Sequence, residues 1–312
     1  MQLYFAPLEG ITTYTYRNTH AACFGGCDAY YAPFVTPAEN EKIGRKNVRD
    51  ILPEHNQNVN LKVQVLANKS DAFLKFAEKI KPLGYDEVNI NLGCPSPTVV
   101  KKGRGAGFLN DVLGMKRFFD EIFEACDIKI SVKTRTGYVH SDEMDELMEI
   151  YSRHPLSLLI IHPRTKKEFY GGEPDQAVFA RALDRATCPV CYNGDVLTVE
   201  DFREIEKAFP SLRGVMIGRG AVKNPALFRE IRGGKPLATC ELVHFSEQLI
   251  ENYMQVLQSE TFTLHKLKEI WSYMIRNFPE EKKIQKAIKK ANTLSDFKQA
   301  LWALPALESD FN

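Results

Sequence analysis

The fold of this 312-residue chain is decided by the segment Glu87-Val88-Asn89-Ile90-Asn91-Leu92-Gly93-Cys94-Pro95-Ser96. It begins as a strand-like run and continues into a short turn that places a cysteine between a glycine and a proline. Gly93 has no side chain to crowd a ligand, and Pro95 fixes the backbone and removes a hydrogen-bond donor. Cysteine is commonly a buried structural residue, but this turn presents the thiol instead of packing it. The segment therefore predicts a functional Cys94 at the carboxyl end of a buried strand.

Similar strand-like runs recur along the chain, with helix-like stretches between them. The predicted strands are Leu3–Ala6, Tyr30–Val35, Lys62–Leu66, Glu87–Leu92, Lys129–Lys133, Leu158–His162, Val190–Asn193 and Gly214–Ile217. Predicted helices between them include Ser70–Pro82, Val112–Ala125, Asp142–Arg153 and Thr198–Phe209. Eight strand–helix units in about 230 residues predict an α/β fold, a (β/α)8 TIM barrel. A doubly wound sheet would usually carry a glycine fingerprint after its first strand, where this chain has Pro7-Leu8-Glu9-Gly10-Ile11.

The strand pattern ends after Ile231. The cluster Arg232-Gly233-Gly234-Lys235-Pro236 is typical of a linker, and only segments with helical periodicity follow it. These segments are Glu241–Leu257, His265–Asn277, Glu280–Ala291 and Ser295–Leu304. We therefore expect a barrel domain over residues 1–236 and a small, separate, all-helical C-terminal domain over residues 237–312.

Composition and charge exclude several classes of protein. No apolar run is long enough to span a bilayer, and the first residues do not resemble a secretion signal. We therefore expect a cytoplasmic protein that does not bind a membrane. The net charge of +1 implies no strong overall attraction to nucleic acid. Residues 266–298 nevertheless contain nine basic and four acidic residues. That excess fits either a solvated helix face or a phosphate-contacting surface.

Seven cysteines show no disulfide framework. Cys188 and Cys191 form a C-x-x-C motif, which is typical of redox pairs and of half a zinc site. The motif overlaps a predicted strand, and no second such pair exists in the sequence. We therefore interpret both cysteines as small strand residues and predict no metal site.

Charged and amide side chains gather at the predicted strand ends. In a TIM barrel the carboxyl ends of the strands converge on one mouth, where catalytic groups lie. Polar groups are costly in a core unless they are used. The sequence therefore predicts an active site at this mouth. The residues placed there are Pro7, Leu8, Glu9, Gln64, Asn91, Cys94, Lys133, Arg135, His162, Arg164, Asn193, Gly194, Asp195, Gly218 and Arg219.

The last two strand ends predict a phosphate site. Asn193-Gly194-Asp195 and Gly218-Arg219-Gly220 would let backbone N–H groups approach an anion, and a helix expected near Asn224-Pro225 would point its positive end there. Lys133 lies on an otherwise apolar strand and could form a Schiff base or hold the electron-rich edge of a flavin. His162 could donate to the same ring, or it could be a satisfied core histidine.

Several of these residues belong to longer motifs, by which the chain resembles the tRNA-dihydrouridine synthases, a flavin-dependent family, over nearly its whole length. Order and spacing both agree. The family usually has Met where Leu8 stands, an exchange that conserves volume. The matching motifs are Ala6-Pro7-Leu8-Glu9-Gly10, Gln64, Asn91-Leu92-Gly93-Cys94-Pro95-Ser96-Pro97, Gly103-Arg104-Gly105-Ala106-Gly107, Val132-Lys133-Thr134-Arg135-Thr136-Gly137, His162-Pro163-Arg164-Thr165, Asn193-Gly194-Asp195 and Met216-Ile217-Gly218-Arg219-Gly220.

The resemblance implies FMN at the barrel mouth, reduced by NADPH or NADH. It implies that hydride passes from reduced FMN to C6 of a tRNA uridine, and that Cys94 donates a proton to C5. A free thiol has a pKa of about 8.5 and is mostly protonated at neutral pH, which suits a general acid. The implied contacts to the FMN phosphate come from Asn193, Gly194, Asp195, Gly218 and Arg219. Those to its ring come from Pro7, Leu8, Glu9, Gln64, Lys133 and His162.

The resemblance also implies that the helical domain grips tRNA. The target uridine must leave its stack to enter the pocket, and we expect Asn91 and Arg135 to hold it there. Lys101 and Arg104, in the loop after Cys94, are expected to meet phosphates or to cover the site. No protein partner is evident.

Three alternatives remain open from the residues. A flavin enzyme acting on free pyrimidines, similar to dihydroorotate dehydrogenase, would share the barrel, FMN and the reactive cysteine, but would not need a basic helical appendage. A lyase could use Lys133 as a Schiff base. An RNA-binding or chaperone protein that is not an enzyme could keep the barrel as a scaffold.

Overall fold

A computed structural model describes residues 1–37 and 48–307. Eight parallel strands, each paired with its neighbours in the sequence, close into a barrel in which β8 pairs with β1. The predicted TIM barrel is therefore confirmed. The strands are β1 (Gln2–Phe5), β2 (Ala29–Tyr31), β3 (Leu61–Val65), β4 (Glu87–Leu92), β5 (Lys129–Gly137), β6 (Leu158–Thr165), β7 (Val190–Tyr192) and β8 (Gly214–Ile217).

Helices cover the outside of the barrel and continue beyond it. They are α1 (Tyr14–Cys23), α2 (Ser70–Ile80), α3 (Pro97–Val100), α4 (Val112–Ala125), α5 (Met144–Tyr151), α6 (Gln176–Arg185), α7 (Val199–Ala208), α8 (Arg219–Lys223), α9 (Leu227–Ile231), α10 (Thr239–Leu257), α11 (Glu260–Met274), α12 (Lys282–Lys290) and α13 (Leu294–Trp302). Short 3-10 helices lie at Pro53–His55, Lys81–Leu83, Gly105–Asn110, Ser141–Glu143 and Ile275–Asn277. No helix within the described ranges is both long and apolar enough to cross a membrane.

Strand boundaries differ from the predictions where polar residues or proline interrupt the apolar pattern. β5 and β6 extend to Gly137 and Thr165, because the buried polar side chains near their ends find partners inside the fold. β2 ends at Tyr31, and Val35 forms only an isolated bridge with Val65. Pro33 lies between them and has no N–H to donate to a sheet.

Side chains alternate along each strand between the barrel interior and its outside, and those inside form two sides that come from different strands. One side is apolar: Tyr4, Tyr31, Leu158, Ile160, Cys191 and Met216 belong to one buried cluster. The other side, on β3 to β5, is polar and includes the fully buried Gln64, Asn89 and Ser131. The polar side continues upward to the mouth, so the interior of the barrel forms the floor of any site built there.

The C-x-x-C motif is divided by the start of a strand. Cys191 is buried within β7, whereas Cys188 precedes that strand, so only one of the two cysteines is a strand residue. Both are free thiols, and no cluster of metal-ligating side chains occurs in the part of the chain that the structure describes.

The C-terminal helices pack directly on the barrel. The Phe245 ring of α10 meets edge-on the rings of Tyr16, in α1, and Phe24, directly after it, with centroids 5.7 Å and 5.2 Å away. α11 begins at Glu260, earlier than the predicted His265, because Ser259 caps it by accepting a hydrogen bond from the Phe262 N–H. The apolar core therefore runs without a break from the barrel into the helical segment.

Candidate active site

A cavity of about 510 Å³ opens at the carboxyl ends of the barrel strands. It is in the size range of pockets that bind cofactors and small ligands. Lys101, Arg104 and Arg164 do not line it. Lys101 is exposed on the surface, and the Arg104 Nε donates to the Asn68 Oδ1 at 3.3 Å. Arg164 is almost fully buried behind the cavity wall, where it bonds Asp195. The other predicted site residues do line it: Pro7, Leu8, Glu9, Gln64, Asn91, Cys94, Lys133, Arg135, His162, Asn193, Gly194, Asp195, Gly218 and Arg219.

The loop that carries Cys94 is held by hydrogen bonds from below. The N–H groups of Gly93 and Cys94 donate to the Asn91 Oδ1 at 3.0 Å and 2.9 Å. The Gly93 carbonyl accepts from the Arg135 Nε at 2.8 Å, and the Cys94 carbonyl accepts from the Ala106 N–H at 3.0 Å. These bonds fix the backbone on both sides of the thiol, so the side chain is presented from a rigid loop.

Burial controls the ionisation of this thiol. Desolvation raises the pKa of Cys94, and the nearby Glu9 carboxylate raises it further. A backbone hydrogen bond at Ser96 and the positive charges of Arg135 and Lys133 act in the opposite direction but do not outweigh the burial. Cys94 is therefore a protonated thiol at neutral pH, suited to donate a proton and not to attack as a nucleophile.

Lys133 is a cation without a partner in the residue ranges 1–37 and 48–307, where its ammonium makes no hydrogen bond or ion pair. Burial lowers the pKa of Lys133 to about 8, and the positive charge of Arg135 contributes in the same direction. An ammonium in this position is stabilised by an electron-rich or anionic ligand. The cavity therefore selects for such a ligand at Lys133.

His162 is a neutral hydrogen-bond donor. Burial holds the pKa of His162 well below its usual value, and the charges of Arg135, Lys133 and other arginines add to the effect. The Arg164 Nη1 lies 3.1 Å from the His162 Nε2. Because arginine can only donate, Nε2 carries no hydrogen and Nδ1 carries it. Nδ1 has no partner among the described residues, so this cavity-lining donor is not a satisfied core histidine.

Asp195 is committed to two arginines. Its carboxylate accepts from the Arg164 Nη2 at 2.5 Å and also pairs with Arg219. Burial acts to raise the pKa of Asp195, but the two ion pairs outweigh it and keep that pKa below its usual range. An ionised carboxylate repels a phosphate, so Asp195 serves here to orient the guanidinium groups and not to contact an anion itself.

The helix expected near Asn224-Pro225 is present as α9, which begins at Leu227 with Ala226 as its N-cap. The sequence did not predict α8, which begins at Arg219, directly after β8, with Gly218 as its N-cap. Two strand-end glycines allow close packing here. A side chain on Gly194 would collide with the Tyr192 hydroxyl, and one on Gly220 would collide with the Val196 carbonyl. Gly194 and Asp195, which follow β7, and Gly218 and Arg219, which follow β8, line the same cavity.

Several lining residues were not found from the sequence. Tyr170, in the loop after β6, lies against two guanidinium groups. The Cζ atoms of Arg135 and Arg219 are 5.3 Å and 5.0 Å from the centre of its ring. The sequence does carry a signal for Tyr170: the aromatic pair Phe169-Tyr170 stands directly before two glycines, in a loop that follows a strand end. Tyr273 and Arg276 come from the helical segment. Nothing in the sequence predicts that these two reach the barrel mouth, because that depends on how α11 docks.

The chain was compared with known proteins. A sequence model of the dihydrouridine synthase (Dus) family matches residues 4–308. The chain is 25% identical to the tRNA-dihydrouridine(16) synthase of Cupriavidus necator over 97% of each protein. It is 26% identical to the tRNA-dihydrouridine(16) synthase of Escherichia coli O157:H7, over 97% of this chain and 98% of the relative. Among solved structures, morphinone reductase is similar with a TM-score of 0.52 and 11% identity, over 75% of this chain and 86% of the other. A likeness at that identity bears on the fold alone.

The ionisation of Cys94 can be tested by alkylation. The rate of its reaction with iodoacetamide, followed by peptide mass spectrometry as a function of pH, should have a midpoint above the usual thiol value of about 8.5. Glu9→Gln removes a negative neighbour and should lower the midpoint, whereas Lys133→Met removes a positive one and should raise it. A wild-type midpoint at or below 8.5, or shifts of the same sign in both variants, would contradict this electrostatic account.

Proposed function

The chain belongs to the dihydrouridine synthase family, and on this premise we propose that it reduces uridines in tRNA to 5,6-dihydrouridine, with FMN as its bound cofactor and NADPH or NADH as reductant. Relatives that match it from end to end are named tRNA-dihydrouridine synthases. The observation that carries the proposal is the meeting of a protonated thiol, Cys94, with an unpaired ammonium, Lys133, in one cavity.

The residues of the cavity fit FMN. Lys133 and the His162 Nδ1–H offer a positive charge and a neutral donor to the electron-rich edge of a flavin ring. Arg219 and the first N–H groups of α8 suit its phosphate. When bound, the flavin supplies the hydride that C6 of the uracil accepts. In this proposal the ring contacts are Pro7, Leu8, Glu9, Gln64, Lys133 and His162. The phosphate contacts are Asn193, Gly194, Gly218 and Arg219, and the expected contact through Asp195 is replaced by its ion pair with Arg219, which orients that guanidinium.

Cys94 supplies the proton. Its Sγ–H bond breaks as a C–H bond forms at C5, so the uracil ring gains one hydride and one proton, and the C5–C6 double bond becomes single. The thiolate left behind lies near Arg135 and Lys133, whose charges favour the ionised form, and it regains a proton from water. Burial keeps the acid protonated before the reaction, and the two cations stabilise its conjugate base afterwards.

The target base must leave the RNA stack and enter the mouth of the barrel. Arg135 is positioned to hold it, because carbonyls of Gly93 and Thr165 fix its guanidinium at 2.8 Å and 2.9 Å. Asn91 lies beside Cys94, but both ends of its carboxamide bond the protein. Asn91 therefore acts on the base chiefly through the loop that it supports. Lys101 and Arg104, outside the cavity, remain candidates for contacts with RNA phosphates.

The helical segment is the proposed tRNA-binding part, and we propose the division of the chain into residues 1–236 and 237–312 on that functional ground. α12 buries Ile288 and exposes a row of basic side chains. Such a row provides contacts to the RNA backbone that do not depend on base sequence. The exposed lysines are Lys282, Lys283, Lys286, Lys289 and Lys290.

A spectroscopic titration tests the function. The purified protein, loaded with FMN if necessary, should lose its visible flavin absorbance when NADPH is added without air. The absorbance should return on addition of tRNA from cells lacking this gene, with dihydrouridine in the digested RNA. Cys94→Ala should slow this return by about 100-fold or more, the usual weight of a general acid. Cys240→Ala, which removes an exposed thiol, is the matched control and should not.

Other outcomes would redirect the assignment. Return of the absorbance with a free pyrimidine alone would move the function to a small-molecule reductase. A protein that takes up no FMN would remove the cofactor, and a Cys94→Ala variant as fast as wild type would remove the proposed acid.

The RNA surface can be tested by its dependence on salt. Changing all five α12 lysines to Gln should weaken tRNA binding and reduce the slope of log affinity against log salt, by roughly 0.7–0.9 for each lysine that contacts a phosphate. Lys75→Gln, Lys116→Gln and Lys207→Gln, exposed on barrel helices, together form the control. Unchanged affinity at low salt in the α12 variant would contradict the assignment.

A further inference from the structure

A continuous chain of hydrogen bonds runs through the polar side of the barrel interior. The Asn91 Nδ2 donates to the Gln64 Oε1 at 2.7 Å, and the Gln64 Nε2 donates to the Asn89 Oδ1 at 2.7 Å. The Asn89 Nδ2 then donates to the Ser131 Oγ at 2.9 Å, and that hydroxyl donates to the Glu87 Oε1 at 2.6 Å. The three middle side chains are fully buried.

The two ends of this chain impose the same direction on it. At the mouth, the backbone N–H groups of Gly93 and Cys94 can only donate, and both bond the Asn91 Oδ1. At the far end, a Glu87 carboxylate can only accept. The Lys62 Nζ donates to the other oxygen of that carboxylate at 3.1 Å. Every carboxamide between these ends therefore has one orientation in which all bonds are satisfied.

We propose that Glu87 is a positioning residue for the active site, which fixes the Gln64 and Asn91 carboxamides and, through Asn91, the backbone of the Cys94 loop. The inference rests on the proposed function, since it concerns the same site. Glu87 is the first residue of β4 and lies about 13 Å along that strand from Asn91. It touches neither the cavity nor its ligands and acts only through the chain.

The direction of the chain gives this proposal a distinctive consequence. In Glu87→Gln, the ammonium of Lys62 attracts the new carbonyl oxygen, and the new amide then donates to Ser131. The Ser131 hydroxyl has lost the acceptor of its own hydrogen, and to donate again it must turn toward Asn89; each carboxamide above it then reverses in sequence. The reversal ends at Asn91, where an amide would face the Gly93 and Cys94 N–H groups, donor against donor. Two bonds that support the thiol loop are then lost.

Removing the ammonium should undo this effect. In the double variant Lys62→Met with Glu87→Gln, nothing attracts the carbonyl oxygen away from Ser131, and the backbone N–H groups alone select the original direction. Lys62→Met by itself keeps the carboxylate as an acceptor and should also keep the direction. If Glu87→Gln acted only by breaking its ion pair with Lys62, the double variant would be perturbed at least as much as the single one.

The test measures the loop directly and needs no turnover. Alkylation of Cys94 by iodoacetamide should be about tenfold faster in Glu87→Gln than in wild type, the factor for one to two net hydrogen bonds. FMN affinity, measured by fluorescence, should fall in the same variant. Both should return to near wild-type values in the double variant. The exposed Cys240 serves as an internal reference for alkylation in every sample.

Two results would overturn the proposal: Glu87→Gln with wild-type alkylation and affinity, or a double variant perturbed as much as the single one. If Glu87→Gln does not fold, Ser131→Ala tests the same chain: it cuts the link to Glu87 and leaves the Gly93 and Cys94 N–H groups to set the direction. Cys94 alkylation should then stay near the wild-type rate, and a tenfold acceleration there would overturn the proposal. Failure of the proposed function is distinguishable, because wild-type protein would then form no dihydrouridine in tRNA, whatever the alkylation rates.

Discussion

Positive charge buried at the barrel mouth is the constraint on which the site depends. Arg135 and Arg164 are almost fully buried, and Lys133 lies beside them. Asp195 neutralises part of this charge by pairing with Arg164 and Arg219, but Lys133 has no partner in the described residues. Burial, with this excess charge as a second cause, holds the pKa of His162 well below its usual value and lowers the pKa of Lys133 to about 8. A ligand with an electron-rich edge and a phosphate relieves this charge, which is why a flavin nucleotide fits here.

The barrel provides this site through the alternation of its strands. Residues that point outward bury apolar surface under the helices, and residues that point inward on β3 to β5 are polar. Buried polar groups are tolerated only when their hydrogen bonds are satisfied, and here they bond one another in a line that ends at the Cys94 loop. The same interior that closes the barrel therefore also fixes the acid that we propose for the reaction.

Sequence reasoning succeeded where a local pattern carries the information. The alternation of β4 and the short apolar run of β8 predicted both strands residue for residue. Fourteen predicted site residues line one cavity because strand ends converge in a barrel. It failed where tertiary contacts decide. Arg135 lies within β5 because distant carbonyls satisfy its guanidinium. No sequence pattern predicts that Asp195 pairs with two arginines. None predicts that Tyr273 of α11 reaches the cavity.

The central claim is that Lys133 holds the electron-rich part of the cofactor, and the most direct measurement is FMN affinity as a function of pH. Between about pH 7 and pH 8 the Lys133 ammonium is charged in the free protein, so FMN affinity should be nearly constant. FMN stabilises the charged form of Lys133 and so raises its pKa in the complex. Between pH 8 and that raised pKa, FMN affinity should therefore fall by about tenfold per pH unit. Lys133→Met should bind more weakly and without this fall. Affinity that does not change with pH in wild type, or that falls equally in the variant, would contradict the account.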